Sequence, residues 1–179
     1  MKKILYLLML LTLPFYSSGQ ESRYLDSLKQ KLSTTSNDTI KMDIYRKMGF
    51  YLQNGHVGEA LDYHKKQLEY AKKLNMKLYE ADAYEQIAYV QLWNSDLSNA
   101  YDNYIKGLKI AEDPHSADIG WGYSNFSFSK SPADARLSII GMINFELSTL
   151  YQNSRMEEEQ RQYLLKAKEI GKELHNQKI

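Results

Sequence analysis

Proton transfer and metal capture near neutral pH fall first to histidine, and this chain of 179 residues has four, at 56, 64, 115 and 175. No two of them lie one helical turn apart, so no helix carries the paired imidazoles of a zinc site. Asp113, His115, Ser116 and Asp118 place acid, base and hydroxyl close together in sequence. A Ser–His–Asp relay needs spatial geometry rather than adjacency, and Asp113-Pro114 has the character of a helix end, so the cluster reads as a polar loop. Cysteine is absent, which excludes disulfides, thiolate zinc sites, a thiol nucleophile and a thioether lipid anchor. Neither a glycine-rich phosphate loop nor a nucleophile elbow occurs. No catalytic residue, metal-ligand set or cofactor site is therefore expected, and the chain reads as a non-enzyme. With 23 basic and 22 acidic side chains, a formal +1, it carries no electrostatic bias toward nucleic acid.

A different chemistry, aromatic contact, is concentrated between residues 113 and 131. Trp121, Tyr123, Phe126 and Phe128 follow Ile119 there, separated mostly by Gly, Ser and Asn. Loops of this length in compact domains are usually functional or disordered. Two readings compete: the aromatics fold back over a seam between helices, or they present an edge to a partner. The first is favoured. Trp121 stands between Gly120 and Gly122, and periodicity gives no reason for that.

The elements around this segment are helical. Glycine (nine) and proline (three) are scarce, while 43% of residues are hydrophobic. At the start, Lys2-Lys3, an apolar run from Ile4 to Phe15, and small residues at Ser17 and Gly19 have the layout of a secretory signal peptide. The run falls short of the roughly 20 residues that span a bilayer. Cleavage after Gly19 is expected to leave residues 20–179 in the periplasm or the medium, with no stable membrane insertion and a formal charge of −1.

Apolar residues then recur at helical spacing. Leu25, Leu28 and Leu32 share one face of a short first helix, and the polar stretch 33–38 ends it and caps the next. Further helices run through Ile40–Tyr51, Ala60–Leu74, Ala81–Leu92 and Leu97–Ala111. Asn54-Gly55 stops the first of these, with Gly55 suited to the left-handed conformation of a helix end. Ser131-Pro132-Ala133-Asp134 restarts a helix as N-cap, first-turn proline and a returning carboxylate, and a last helix runs through Met156–Leu174.

The helices come in pairs, and the pairs resemble one another. Residues 55–63 align with 95–103 at an offset of 40, and with 155–163 at a further 60. Periods of this size belong to stacked helix hairpins. Tyr84, Ile87-Ala88, Ala100, Tyr104 and Gly107 carry one copy of a pattern. Tyr45, Met48-Gly49, Ala60 and His64 carry a second, and Leu147-Ser148, Tyr151, Leu164 and Ala167 a third. At these residues the chain resembles the tetratricopeptide repeat family, and in particular the exported repeat segments that bacteria place before sensor kinases. It departs from the pattern at Gln67, Gln91 and Gln160.

The resemblance implies an all-α fold: a right-handed stack of antiparallel helix hairpins, an α-solenoid. The parts would be a capping helix at 20–33, repeats at 40–75, 77–112 and 132–175, and an aromatic insertion at 113–131. A plain antiparallel bundle is the structural alternative. The family's groove would be lined by the first helix of each pair: Arg46, Phe50, Gln53 and Asn54; Glu85, Tyr89 and Trp93; Phe145, Thr149 and Gln152. The insertion edge would offer Trp121, Tyr123, Phe126 and Phe128. Aromatics beside amides and charges suit a protein or peptide partner. The clamp with which some family members hold acidic C-termini is disfavoured, since only Arg46 is basic and Met142 stands at a site that clamp makes basic. The expected role is a protein-binding module or scaffold of the cell envelope, with a homo-oligomer also compatible. A sensory input domain acting with a membrane kinase is the alternative.

Overall fold

A computed structural model describes residues 23–126 and 129–176. The proposed leader at 1–19 and the side chain of Phe128 lie outside the described residues. The elements are α1 (residues 23–34), α2 (Asp38–Leu52), α3 (Val57–Lys73), α4 (Lys77–Trp93) and α5 (Leu97–Glu112), then the short 3₁₀ turns η1 (Pro114–Ala117) and η2 (Tyr123–Asn125), then α6 (Pro132–Asn153) and α7 (Glu157–Asn176). Among the described residues there is no strand, and no helix is long and apolar enough to cross a membrane.

Local chemistry fixes the helix ends. Asn37 caps α2 by accepting from the amides of Thr39 and Ile40 at 2.9 and 3.2 Å. Ser131 caps α6 by accepting from the Asp134 amide at 3.1 Å. The Asp134 carboxylate returns to the Lys130 amide (2.9 Å), one residue earlier than the cap position expected for it. Three interhelical turns close alike. The amides of Met76, Asp96 and Met156 reach back five residues to the carbonyls of Ala71, Gln91 and Tyr151. Asn75, Ser95 and Arg155 take the left-handed conformation these closures need. Gly55 occupies the position equivalent to Ser95 and Arg155 yet does not adopt it. There the His56 amide bonds to Leu52 by a tighter four-residue closure, so the expected role of Gly55 is not used.

Consecutive helices pack in adjacent pairs, α2 with α3, α4 with α5 and α6 with α7, and the pairs are joined through α3–α4 and α5–α6. α4 also meets α6 directly and is buried around most of its circumference. Small residues let the paired helices approach: Ala60, Ala88, Ala100 and Ala111 are fully enclosed. A Cβ on Gly107 would stand 3.0 Å from the carbonyl of Ala81. α1 closes one end through Leu28, which packs on Ile44 and Met48. The main core runs from Met42 through Tyr79, Tyr104, Ile143 and Leu147, and Phe126 joins it from the insertion.

His64 belongs to this packing. It is fully buried against Gly49, and burial holds its ring neutral, with a pKa lowered to about 4. A Cβ on Gly49 would lie 2.5 Å from the imidazole. Gly49→Ala is expected to lose about 2 kcal/mol, because overpacking of about 1–3 kcal/mol outweighs the helix gain of alanine. Urea unfolding measures this, and adding His64→Ala should relieve the clash.

Candidate functional site

Alternate helices α2, α4 and α6 share a surface whose centre is polar and whose rim is aromatic. Arg46, Phe50, Asp82, Glu85, Gln86 and Met142 surround a shallow depression of about 90 Å³, which Phe126, Ser138 and Ile139 complete. Arg46 reaches from α2 to α4 and donates both Nε (2.8 Å) and Nη2 (3.2 Å) to the Asp82 carboxylate. Gln67 of α3 donates to the same carboxylate at 2.7 Å and to the Tyr79 carbonyl at 3.3 Å, and its Oε1 lies 3.3 Å from His64 Nδ1. Gln67, one of the three departures from the repeat pattern, is thus a fully buried member of the network that ties α2, α3 and α4 together. Burial opposes the charge on Arg46, and the Asp82 carboxylate more than restores it.

Two carboxyls, Glu85 on the wall of the depression and Glu146 on α6, have little support. Glu85 and Glu146 are 5% and 7% exposed. Glu85 accepts one hydrogen bond, from Gln86 Nε2 at 2.5 Å. Burial raises the pKa of Glu146 to about 7 and that of Glu85 well above the usual carboxyl range, where Asp82 and Glu146 add repulsion. Around them the aromatic rim is open to solvent: Phe50 is 60%, Trp93 64% and Phe145 49% exposed. The Tyr89 and Trp93 rings are 6.1 Å apart.

The structure therefore brings Arg46, Phe50 and Glu85 together and sets Tyr89, Trp93 and Phe145 along the same face. Gln53 and Asn54 follow the last residue of α2, Thr149 and Gln152 lie toward the end of α6, and none of the four lines the depression. Asp82, Gln86 and Glu146 were not singled out from the sequence. Asp82 and Gln86 precede Tyr89 and Trp93 at helical spacing on one face of α4, which is the signal that could have found them. Glu146 interrupts an apolar run on α6, and a lone acid there had been unremarkable.

The insertion folds back onto this surface at one end. η1 packs on α4, α5 and α6. Phe126 is buried edge-on against Tyr79, with ring centroids 5.1 Å apart, and lies 5.1 Å beneath the Arg46 guanidinium. Trp121 leans on Tyr79 at 5.6 Å from the outside, and Tyr123 packs on the main core. Asn125 donates to the Tyr79 hydroxyl (2.7 Å) and to Asp43 (3.2 Å), binding the loop to α4 and α2. The glycines beside Trp121 now have a cause. Gly122 is left-handed and a Cβ there would overlap the Tyr79 hydroxyl, while a Cβ on Gly120 would come within 2.6 Å of Pro132.

A second cleft, of about 430 Å³, lies between Asn75, Lys77, Lys109 and η1, with Asp113, His115 and Asp118 on its wall. His115 Nδ1 is 3.2 Å from Asp118, both largely exposed. Ser116 is buried and its hydroxyl makes no bond to His115. Acid, base and hydroxyl thus diverge. No group of three or more acidic or imidazole side chains among the described residues is placed to hold a metal ion.

No family model matches the chain, and no curated protein matches it. The solved structure of BtubC (BKLC) from P. vanneervenii is similar to it at 12% identity and a TM-score of 0.48, over 89% of this chain and 76% of that one.

Proposed function

We propose that this chain is an exported, tetratricopeptide-like repeat protein whose first-helix groove binds an extended segment of a protein partner, with no catalytic step. The observation that carries it is the exposure of Phe50, Trp93 and Phe145 on three alternate helices around a polar floor. Aromatic side chains left in water along one face offer contact area at small entropic cost when a partner covers them. The chain's own Phe126 supplies a precedent, since a loop segment already lies across one end of this surface against Arg46 and Tyr79. The repeat reading draws support from the alternating pairs, from the enclosed alanines at 60 and 100, and from the identical left-handed closures at Ser95 and Arg155.

Panning a library of random nine-residue displayed peptides against the purified protein tests this. Peptides that bind at micromolar Kd are expected, and Trp93→Ala should weaken them at least tenfold with an unchanged melting temperature. Failure to enrich any peptide, or equal binding by Trp93→Ala, overturns the groove.

A further inference from the structure

Among the described residues around the groove, the carboxyls of Asp82, Glu85 and Glu146 are answered by one guanidinium, that of Arg46. Glu146 is largely buried and makes no hydrogen bond or ion pair among the described residues, while its carboxyl oxygens keep a small opening to solvent. Glu85 has only the Gln86 amide, and the Oε1 of that same amide is itself buried without a donor. The Tyr104 hydroxyl, fully enclosed and within electrostatic reach of both glutamates, also has no partner. The one nearby guanidinium, Arg46, is taken up in two bonds to Asp82. A buried carboxyl left without a donor is costly to ionise, and an incoming cation removes that cost.

We propose that the open part of the groove recognises an arginine side chain within the extended partner segment, its guanidinium placed against Glu85 and Glu146 with apolar neighbours resting on Phe50, Trp93 and Phe145. Arginine fits better than lysine. Its planar fork can bridge two carboxylates and stack on an aromatic face, whereas an ammonium is a strongly hydrated point charge. The rim provides those faces, and the loop's use of Phe126 beneath Arg46 is the same cation-on-ring contact with the partners' roles reversed. This inference rests on the groove being a peptide site and adds what it selects.

The composition of the panned peptides separates the two. Enrichment of arginine at one fixed position, flanked by apolar residues, supports the proposal. Enriched peptides without a basic preference leave the groove reading standing and overturn this one, and no enrichment overturns both. An enriched peptide resynthesised with citrulline, which keeps the shape and loses the charge, is expected to bind the protein at least tenfold more weakly. Glu85→Gln/Glu146→Gln should erase that difference while retaining the aromatic contribution. If the double variant still prefers arginine tenfold, the glutamates are not the site. Binding of the arginine peptide should also weaken between pH 8 and pH 6, as Glu146 takes up a proton. The groups facing it are Glu85 and Tyr89 of α4 and Tyr104 of α5, and Glu85 is the one carboxyl among them, its pKa raised by burial in the same direction. A pH-independent preference for arginine counts against the proposal.

Discussion

Asp82→Ala is expected to destabilise the fold by about 3–5 kcal/mol, the usual cost of removing one member of a buried ion pair. Asp82 is almost fully enclosed and holds three hydrogen bonds from two other helices. Its loss removes both hydrogen bonds of the Arg46 guanidinium, which keeps its contact with the Phe126 ring, and leaves the Gln67 amide with the longer bond to the Tyr79 carbonyl. A domain's whole stability is about 5–15 kcal/mol, so the melting temperature should fall by roughly 10 °C. The informative control is Arg46→Met/Asp82→Leu. Replacing both partners with apolar groups removes the uncompensated charge, and this double variant should recover most of the loss. Recovery would show that the pair sets which helices meet rather than adding net stability. A double variant as unstable as Asp82→Ala would mean that the Gln67 bond, not the ion pair, carries the effect. Chemical denaturation of all three proteins decides it.

Much of this architecture was legible from spacing. Apolar residues recurring every three or four positions marked each helix, and the polar stretch at Asn37 and the Ser131 cap announced the starts of α2 and α6 because a short polar side chain satisfies the free amides of a first turn. Phe50, Trp93 and Phe145, which the repeat resemblance and not spacing placed on one face, are exposed on α2, α4 and α6. What spacing could not show was charge in three dimensions. Asp82 lies 36 residues from Arg46 and 15 from Gln67, and only helix packing brings them together. The insertion was equally opaque. Its glycines answer to Tyr79 and Pro132, residues that no periodic pattern relates to them. Gly55 shows the reverse error. Glycine permits a left-handed turn without requiring one, and here the closure uses right-handed geometry while Ser95 and Arg155 accept the less comfortable conformation.

The polar interior divides into two parts with opposite characters. Around Asp82 every strong acceptor is met, which suits a structural joint. Around Glu146 no cation is paired with the carboxyl among the described residues, Gln86 Oε1 and the Tyr104 hydroxyl are buried without a partner, and the surrounding aromatics face solvent. The two share α2 and α4, so the joint holds the open site in place. Packing that fixes α2 to α4 through Arg46 also fixes the separation of Phe50 from Trp93.

Glu146→Gln is expected to stabilise the protein, by about 3 kcal/mol above pH 8 and by almost nothing at pH 4. The folded pKa is about 7 against an ordinary value of 4.5, so between those values the folded chain keeps a proton that the unfolded chain has released. The contribution of neutral Glu146 is fully present below pH 4.5 and is lost as pH rises through 7, where the fold must carry a largely desolvated charge at a cost of about 3 kcal/mol. Glutamine has the shape without the charge and escapes that loss. His64 works in the other direction, because its folded pKa of about 4 lies below the ordinary 6.5 and its contribution fades as pH falls. It is present in both proteins, so the difference between their stability curves isolates Glu146. Paired melts from pH 4 to pH 9 measure that difference, and a flat one would mean that Glu146 ionises in the fold as freely as in water. A rising difference, together with loss of arginine-peptide binding in the double variant, would place the cost and its purpose at the same carboxylate. A charge that weakens the empty protein is then the charge that a basic partner neutralises, and occupancy by that partner should return the stability that the acid removes.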